Sequence, residues 1–248
     1  MRIETVLTVA ESKRLIAKGV RQLEMVQRAM ENGMVAIAKG TTGTYIAEEF
    51  TGERIEPFAY TTGLTLPKVM DPAVNVKVQK RGDVVFRDGK RVDLSVNDAV
   101  KQMGPGDVFI KGANALNYEK KVAGILIGHP LGGTIGNAIG PAISRKVHLV
   151  IAVGLEKCIP FDILELSRQI PARFDEASRC TSLMPVTGLI VTEIEALKAL
   201  ADVEVVQVGA GGVGGAEGAV WLQIEGDRRE IEKVEKILEA IHGERAFR

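Results

Sequence analysis

Aromatic side chains are scarce in this 248-residue chain, at 4% with a single tryptophan. Binders of single-stranded nucleic acid need stacking platforms, so that function is disfavoured from the start. Neither sign of charge is in excess, with 32 Lys and Arg against 32 Asp and Glu. No global field therefore draws the chain to nucleic acid or to an acidic membrane surface. Cysteine is nearly absent. Cys158 and Cys180 form no CxxC pair and have no companions at metal-ligand spacing, so both read as structural residues and no metal site is expected. No apolar run approaches membrane-spanning length, and no leader-like h-region follows Met1. These absences predict a soluble cytoplasmic protein.

What is present is an ordinary core composition, 46% hydrophobic and 26% charged, and a rhythm of strands and helices. Leu15, Ile16, Val20, Leu23 and Val26 recur at helical spacing over 12–30, and Asn32-Gly33 supplies a stop. A strand is predicted over 34–39 and a helix from about Thr44 to Phe50. Residues 84–93 alternate around Asp88-Gly89, which predicts a hairpin. A short helix over 96–103, a strand over 108–111 and a strand over 123–128 follow. Next come a helix from about 134 to 146 and a strand over 148–153. The pattern from 160 to 184 is irregular. Strand 188–192, helix 194–200, strands 203–208 and 219–224 and helix 228–241 complete the chain.

Continuously apolar strands alternating with helices predict an α/β fold, a parallel sheet with helices on both faces. The expected division is a core over 1–185 and a small βαββα ferredoxin-like module over 186–248. Ligands of parallel sheets sit beyond the strand carboxyl ends, where Lys39, Lys111 and His129 all fall.

The most informative segment is the turn Gly40-Thr41-Thr42-Gly43-Thr44 between strand and helix. Free amides, hydroxyls and a positive helix end around one point suit a phosphate or carboxylate. The plainer reading is a tight connection with a threonine cap. It is not a Walker loop, since GxxxxGK[ST] is missing. At the end of the second short strand, Lys111-Gly112 and Asn114 offer a cation, close backbone approach and an amide donor. His129 opens a second glycine turn, Gly132-Gly133-Thr134, and would titrate in a useful range as an acid/base; its plainer reading is an incidental loop histidine. Gly209, Gly211 and Gly214 fit GxGxxG, but the segment after them alternates as a strand where the dinucleotide fingerprint needs a helix. A loop between antiparallel strands accounts better for 209–218, with Glu217 its only charge.

Three segments in order resemble the superfamily of ribose-5-phosphate isomerases, glucosamine-phosphate deaminases and coenzyme A transferases. They are Ile37–Glu49, Asp107–Ala115, and Leu126–Thr134 with the following helix and strand 149–157. The resemblance spans roughly residues 10–160 and implies a phosphate loop at 40–44. It departs at the catalytic positions. Lys111 and Asn114 stand where the isomerase has aspartates, Ala115 replaces a glutamate, and Asn137 stands near an expected catalytic glutamate. Ribose-5-phosphate isomerase activity is therefore not expected.

The expected function is binding of a phosphorylated or otherwise anionic small metabolite, without a cofactor, by an isomerase or transferase. Lys39, Gly40, Thr41, Thr42, Gly43, Thr44, Gly112, Asn114, Gly132, Gly133 and Thr134 are the expected ligand residues. His129, Lys111 and Glu119 are the expected catalytic ones. The alternative is a non-catalytic metabolite-binding or regulatory protein that has lost the carboxylates. Nucleic acid and membranes are not expected partners, while homo-oligomerisation is the usual habit of parallel-sheet proteins this size.

Overall fold

The computed structural model describes residues 1–63, 65–66, 78–173 and 181–247. Cys180 lies outside them, and Cys158 is exposed.

The chain opens with a strand that sequence periodicity did not anticipate, β1 (Arg2–Leu7). Thr8 then caps α1 (Val9–Gln22): Glu11 returns to the Thr8 amide at 2.8 Å, the second half of a capping box. The single helix expected over 12–30 is two. Leu23 turns extended and the chain re-enters a helix, α2 (Glu24–Asn32), because the Val26 and Gln27 amides both return to the Leu23 carbonyl. Strand β2 (Met34–Ile37) is wholly buried and leads into α3 (Thr41–Thr51). This helix starts three residues earlier than its sequence pattern suggests, so Thr41, Thr42 and Gly43 form its first turn.

The expected hairpin is present as β3 (Val84–Arg87) and β4 (Lys90–Val92), with Asp88 and Gly89 both at positive φ. After it come α4 (Val96–Gln102), β5 (Val108–Gly112), β6 (Ala115–Asn117), β7 (Val122–Ile127), α5 (Gly133–Ser144) and β8 (His148–Ala152). The last third holds α6 (Ile163–Arg173), β9 (Ser182–Val186), β10 (Leu189–Val191), α7 (Glu193–Leu200), β11 (Val203–Ala210), β12 (Val220–Gly226) and α8 (Arg228–Ile241).

The principal sheet has six strands in the order β10-β8-β5-β2-β3-β4. The first four are mutually parallel, whereas β3 pairs antiparallel with both of its neighbours, β2 and β4. The fold is thus α/β with a mixed sheet rather than a purely parallel one. Helix α1 packs against both α3 and α7, and α4 packs on α5.

Two strands lie elsewhere than their sequence context suggests. Strand β7 was expected in the parallel sheet, but it joins a separate antiparallel sheet, β6-β7-β9. The reason is local. Between β5 and β7 there is no helix to make a parallel crossover, only the turn that pairs Leu116 with Ala123. Strand β10, expected to open the small module, instead forms the edge of the six-stranded sheet beside β8. The C-terminal hairpin β11–β12 is completed by β1, giving the order β1-β12-β11. The glycine loop does join antiparallel strands, with Gly211, Gly214 and Gly215 at positive φ and the Glu217 carboxylate held by the Gly215 amide.

The stretch 160–184 that looked irregular contains α6, whose Ile163, Leu166 and Ile170 pack with Val122 and Leu183. Among the described residues, no helix is long and apolar enough to cross a membrane.

Candidate functional site

Strands β2, β5, β8 and β10 are parallel, so their carboxyl ends emerge along one edge. Register places them side by side. Ile37 lies opposite Ile110, Lys111 opposite Ile151, and Val191 opposite Ala152. The residues at or just beyond these four ends are Lys39 and the glycine–threonine turn, Lys111-Gly112-Ala113, Gly154–Lys157, and Thr192-Glu193.

The turn after β2 is largely engaged with its own surroundings. The Gly40 amide donates to the Tyr60 carbonyl at 3.0 Å, and the Thr44 hydroxyl donates to the Gly40 carbonyl at 2.9 Å and to Tyr60 at 3.3 Å. Lys39 pairs with Asp83 at 2.8 Å. Gly43 sits so close to the Ala38 carbonyl that a β-carbon there would collide with it. What remains open is the helix end: the amides of Thr41, Thr42 and Gly43 have no partner among the described residues. A helix end of this kind favours an anion but does not by itself require one.

The richer feature lies at the next three strand ends. Glu193 is the first residue of α7 and has no exposed surface. Its burial follows from how the helix is capped. The Thr192 hydroxyl accepts the Ile194 amide, and Glu195 supplies the returning carboxylate. Glu193 is thereby freed to turn inward, where one carboxylate oxygen accepts the Leu155 amide at 2.9 Å and the other has no partner. Burial, reinforced by the neighbouring Glu156 carboxylate, pushes the Glu193 carboxyl up to about 7. Glu156 also has a buried oxygen without a partner. Any side chain at Gly154 would overlap its carboxylate.

Three lysines gather at this corner: Lys13 and Lys157 lie within electrostatic reach of both carboxylates, and Lys111 within reach of Lys157. Lys13, on the first half of α1, is 8% exposed and makes no ion pair within 4.0 Å among the described residues. Burial, with the Lys157 ammonium close by, brings its amine down to about 8, against the pull of Glu156 and Glu193. Lys111 is likewise brought down to about 8 by burial and by Lys157. Its ammonium has only a long contact, 3.3 Å, with the Gly112 carbonyl. Lys157 donates to the Ala113 carbonyl at 2.7 Å, and burial lowers its value too. Lys157 thus stands within electrostatic reach of both other lysines. The group holds three lysines against two carboxylates, an arrangement suited to a bound anion.

The remaining expected residues lie apart from this cluster. Asn114 is exposed and uses its side-chain oxygen to hold the Leu126 amide at 3.1 Å. Glu119 is exposed on the β6–β7 turn. His129 is exposed beyond β7, where its Nδ1 accepts the Leu131 amide at 3.1 Å. Gly132 and Gly133 take positive φ at the start of α5, and a β-carbon on Gly132 would strike Gly136. Thr134 is half-buried in the first turn of α5. The expected set therefore divides in two. Lys111, Gly112 and the α3 turn lie at the parallel-strand edge, while Asn114, Glu119 and the His129–Thr134 turn belong to the second sheet and its connections.

Lys13, Glu156, Lys157 and Glu193 were not anticipated. A signal for three of them existed: they follow strand ends just as Lys39 and Lys111 do. Lys13 carried none, because a lysine within an amphipathic helix ordinarily reads as solvated. Among the described residues, no group of three His, Cys, Asp or Glu side chains is placed to hold a metal ion. No protein-family model, curated protein or solved structure matches the chain.

Proposed function

We propose that this protein is an enzyme that binds a small phosphorylated or carboxylated metabolite at the carboxyl ends of β2, β5, β8 and β10 and moves a proton on it. The reaction class is that of an isomerase or a transferase. Lys111 and Lys157 neutralise the anion, together with the free amides of Thr41, Thr42 and Gly43. Glu193 is the proton-transfer group, since a carboxyl poised near neutrality both gives and takes protons at working pH. One observation carries the reading: Glu193 is wholly enclosed yet leaves an oxygen without a partner, beside an enclosed lysine with no counter-ion. Burying such groups without pairing them costs stability, and sites of function are where that cost is retained. The similarity of the turn at 40–44 to the phosphate loops of phosphosugar isomerases points the same way. Carboxylates at the matching isomerase positions are missing, and Glu193 supplies one from a different strand end.

The test has two arms. Thermal unfolding is followed with sugar phosphates, coenzyme A esters and short carboxylic acids, because a ligand of the native state raises the melting temperature. Any binder is then incubated with the protein in deuterated water, and its proton spectrum is read for exchange. The reading expects a binder whose stabilisation is lost in Lys111→Met, and exchange that falls about a hundredfold in Glu193→Gln while binding persists. Stabilisation unaffected by Lys111→Met contradicts the site. Binding without exchange contradicts the enzyme and leaves a metabolite-binding protein.

A further inference from the structure

The three lysines are not equivalent, and the difference assigns them different work. Lys157 and Lys111 each direct an ammonium to a main-chain carbonyl at the end of β5, Lys157 at 2.7 Å and Lys111 at 3.3 Å. Those contacts hold both side chains at the strand edge. Lys13 has no such anchor. It reaches in from α1, enclosed by its own helix and by the segments bearing Glu156, Lys157 and Glu193, and no acceptor among the described residues bonds its amine. Within its electrostatic reach stands the Glu193 carboxyl, faced by Ser12 on the same turn of α1, with one oxygen held by the Leu155 amide and the other without a partner.

We propose that Lys13 is a Schiff-base-forming residue, whose amine condenses with a small aldehyde or ketone that carries a phosphate or carboxylate. The anionic end lies against Lys111 and Lys157 and the carbonyl lies between Lys13 and Glu193. The inference rests on the anion-binding reading above and names its substrate class.

The chemistry follows from what each group holds. The Lys13 nitrogen forms a bond to the carbonyl carbon. The carbonyl π pair moves to oxygen, which takes the Glu193 proton. The nitrogen returns one of its protons to that carboxylate, leaving a neutral carbinolamine and Glu193 again as the acid. The carbon–oxygen bond then breaks, and hydroxide leaves with the Glu193 proton as water. The nitrogen pair closes the double bond. One carbonyl, one amine and one carboxylic acid give one iminium, one water and one carboxylate, with no change of oxidation state. The iminium stands where Glu193 is its counter-ion. It draws electrons from the adjacent carbon, whose proton the open oxygen of Glu156 or Glu193 can accept.

Burial and Lys157 together keep Lys13 suited to this role. With its amine near 8, about a tenth to a fifth is unprotonated at neutral pH, against less than about a thousandth for an ordinary lysine.

Borohydride trapping tests the inference. The full chain is treated separately with glyoxylate, pyruvate and dihydroxyacetone phosphate in the presence of borohydride, and the product is read by intact mass and peptide mapping. One equivalent of reduced adduct is expected on Lys13 with at least one probe. It should be competed by inorganic phosphate, absent in Lys13→Arg, and formed about a hundredfold more slowly in Glu193→Gln. Mapping on the unaltered protein decides the site even where a variant fails to fold. Adducts scattered over surface lysines, an adduct on Lys111 in place of Lys13, or no adduct overturns the proposal. Thermal stabilisation by phosphate without a Lys13 adduct overturns it while the anion-binding reading stands. An adduct that phosphate neither competes for nor accompanies with stabilisation overturns the anion-binding reading and the substrate class with it.

Discussion

Replacing Glu193 by glutamine should stabilise the protein in a way that depends on pH while removing its chemistry. Glutamine keeps an oxygen to accept the Leu155 amide but cannot ionise. In the native protein burial, followed by the Glu156 carboxylate, lifts the Glu193 carboxyl from an ordinary 4.5 to about 7. A carboxyl raised on folding contributes no penalty below about 4.5, where both states hold its proton. Between there and about 7 the unfolded chain releases the proton and the folded protein does not, so stability falls as pH rises. Complete ionisation costs the fold about 3 kcal/mol. Most of that, about 2 kcal/mol, falls between pH 5 and pH 7.5. The groups facing this carboxyl are the Leu155 amide, Ser12, Glu156 and Lys13, and attraction to Lys13 makes these figures ceilings. Urea unfolding of both proteins at the two pH values is the assay. Glu193→Gln should gain about 1–2 kcal/mol on the native protein as pH rises from 5 to 7.5. A difference that stays flat across that range would mean that the carboxylate is solvated or neutralised, and the site reasoning would fail with it.

Other consequences concern the frame around the site. Arg14 is enclosed between Glu48 and Glu244, the latter at 2.7 Å, and ties α1 and α3 to the C-terminal segment. Arg14→Ala leaves these two buried carboxylates with only the exposed Arg54 as a cation and should cost about 3 kcal/mol in urea unfolding; a loss below about 1 kcal/mol would show the network to be solvated. Burial raises the Glu244 carboxyl, but the hydrogen bonds and charges of Arg14 and Arg54 prevail and hold it below the ordinary value. The stability this pair contributes is therefore present at neutral pH and lost as pH falls through the acid range. Tyr60, fully buried, accepts the Val84 amide at 3.1 Å and donates to the Ile37 carbonyl, bridging β2 and β3 just before the turn. Tyr60→Phe should cost about 1–3 kcal/mol for the groups left unpartnered, and an unchanged urea midpoint would contradict the bridge.

Much of the fold was legible because it is written in short-range patterns. Asp88-Gly89 fixes a hairpin through positive φ, and the apolar runs of β2, β5 and β8 mark them as buried strands. The sheet to which a strand belongs is not a local property. Residues 122–127 are as apolar as β8, yet they pair with β6 because the connection from β5 carries no helix. β10 looked like the start of a new module but lies against β8, and the unexpected β1 takes a place beside β12.

The site divides along similar lines. Lys111 and the α3 turn were found by asking what lies beyond the end of a strand. The same question asked at 153 and 191 would have reached Glu156, Lys157 and Glu193. Lys13 was out of reach. Its enclosure depends on α1 packing between α3 and α7, which no periodicity within α1 reveals. His129 misled for the converse reason: it follows a strand, β7, but one in the second sheet, and Asn114 follows β5 only to turn to that sheet, where its side-chain oxygen holds the Leu126 amide.

The most direct measurement of the central claim is an experimental structure of the protein grown or soaked in phosphate. An anion contacting Lys111 and Lys157, facing the first turn of α3, with the Lys13 amine free and Glu193 enclosed, is the expected result. The lysines paired onto Glu156 and Glu193 with no anion between them, or phosphate bound only elsewhere on the surface, would contradict the account.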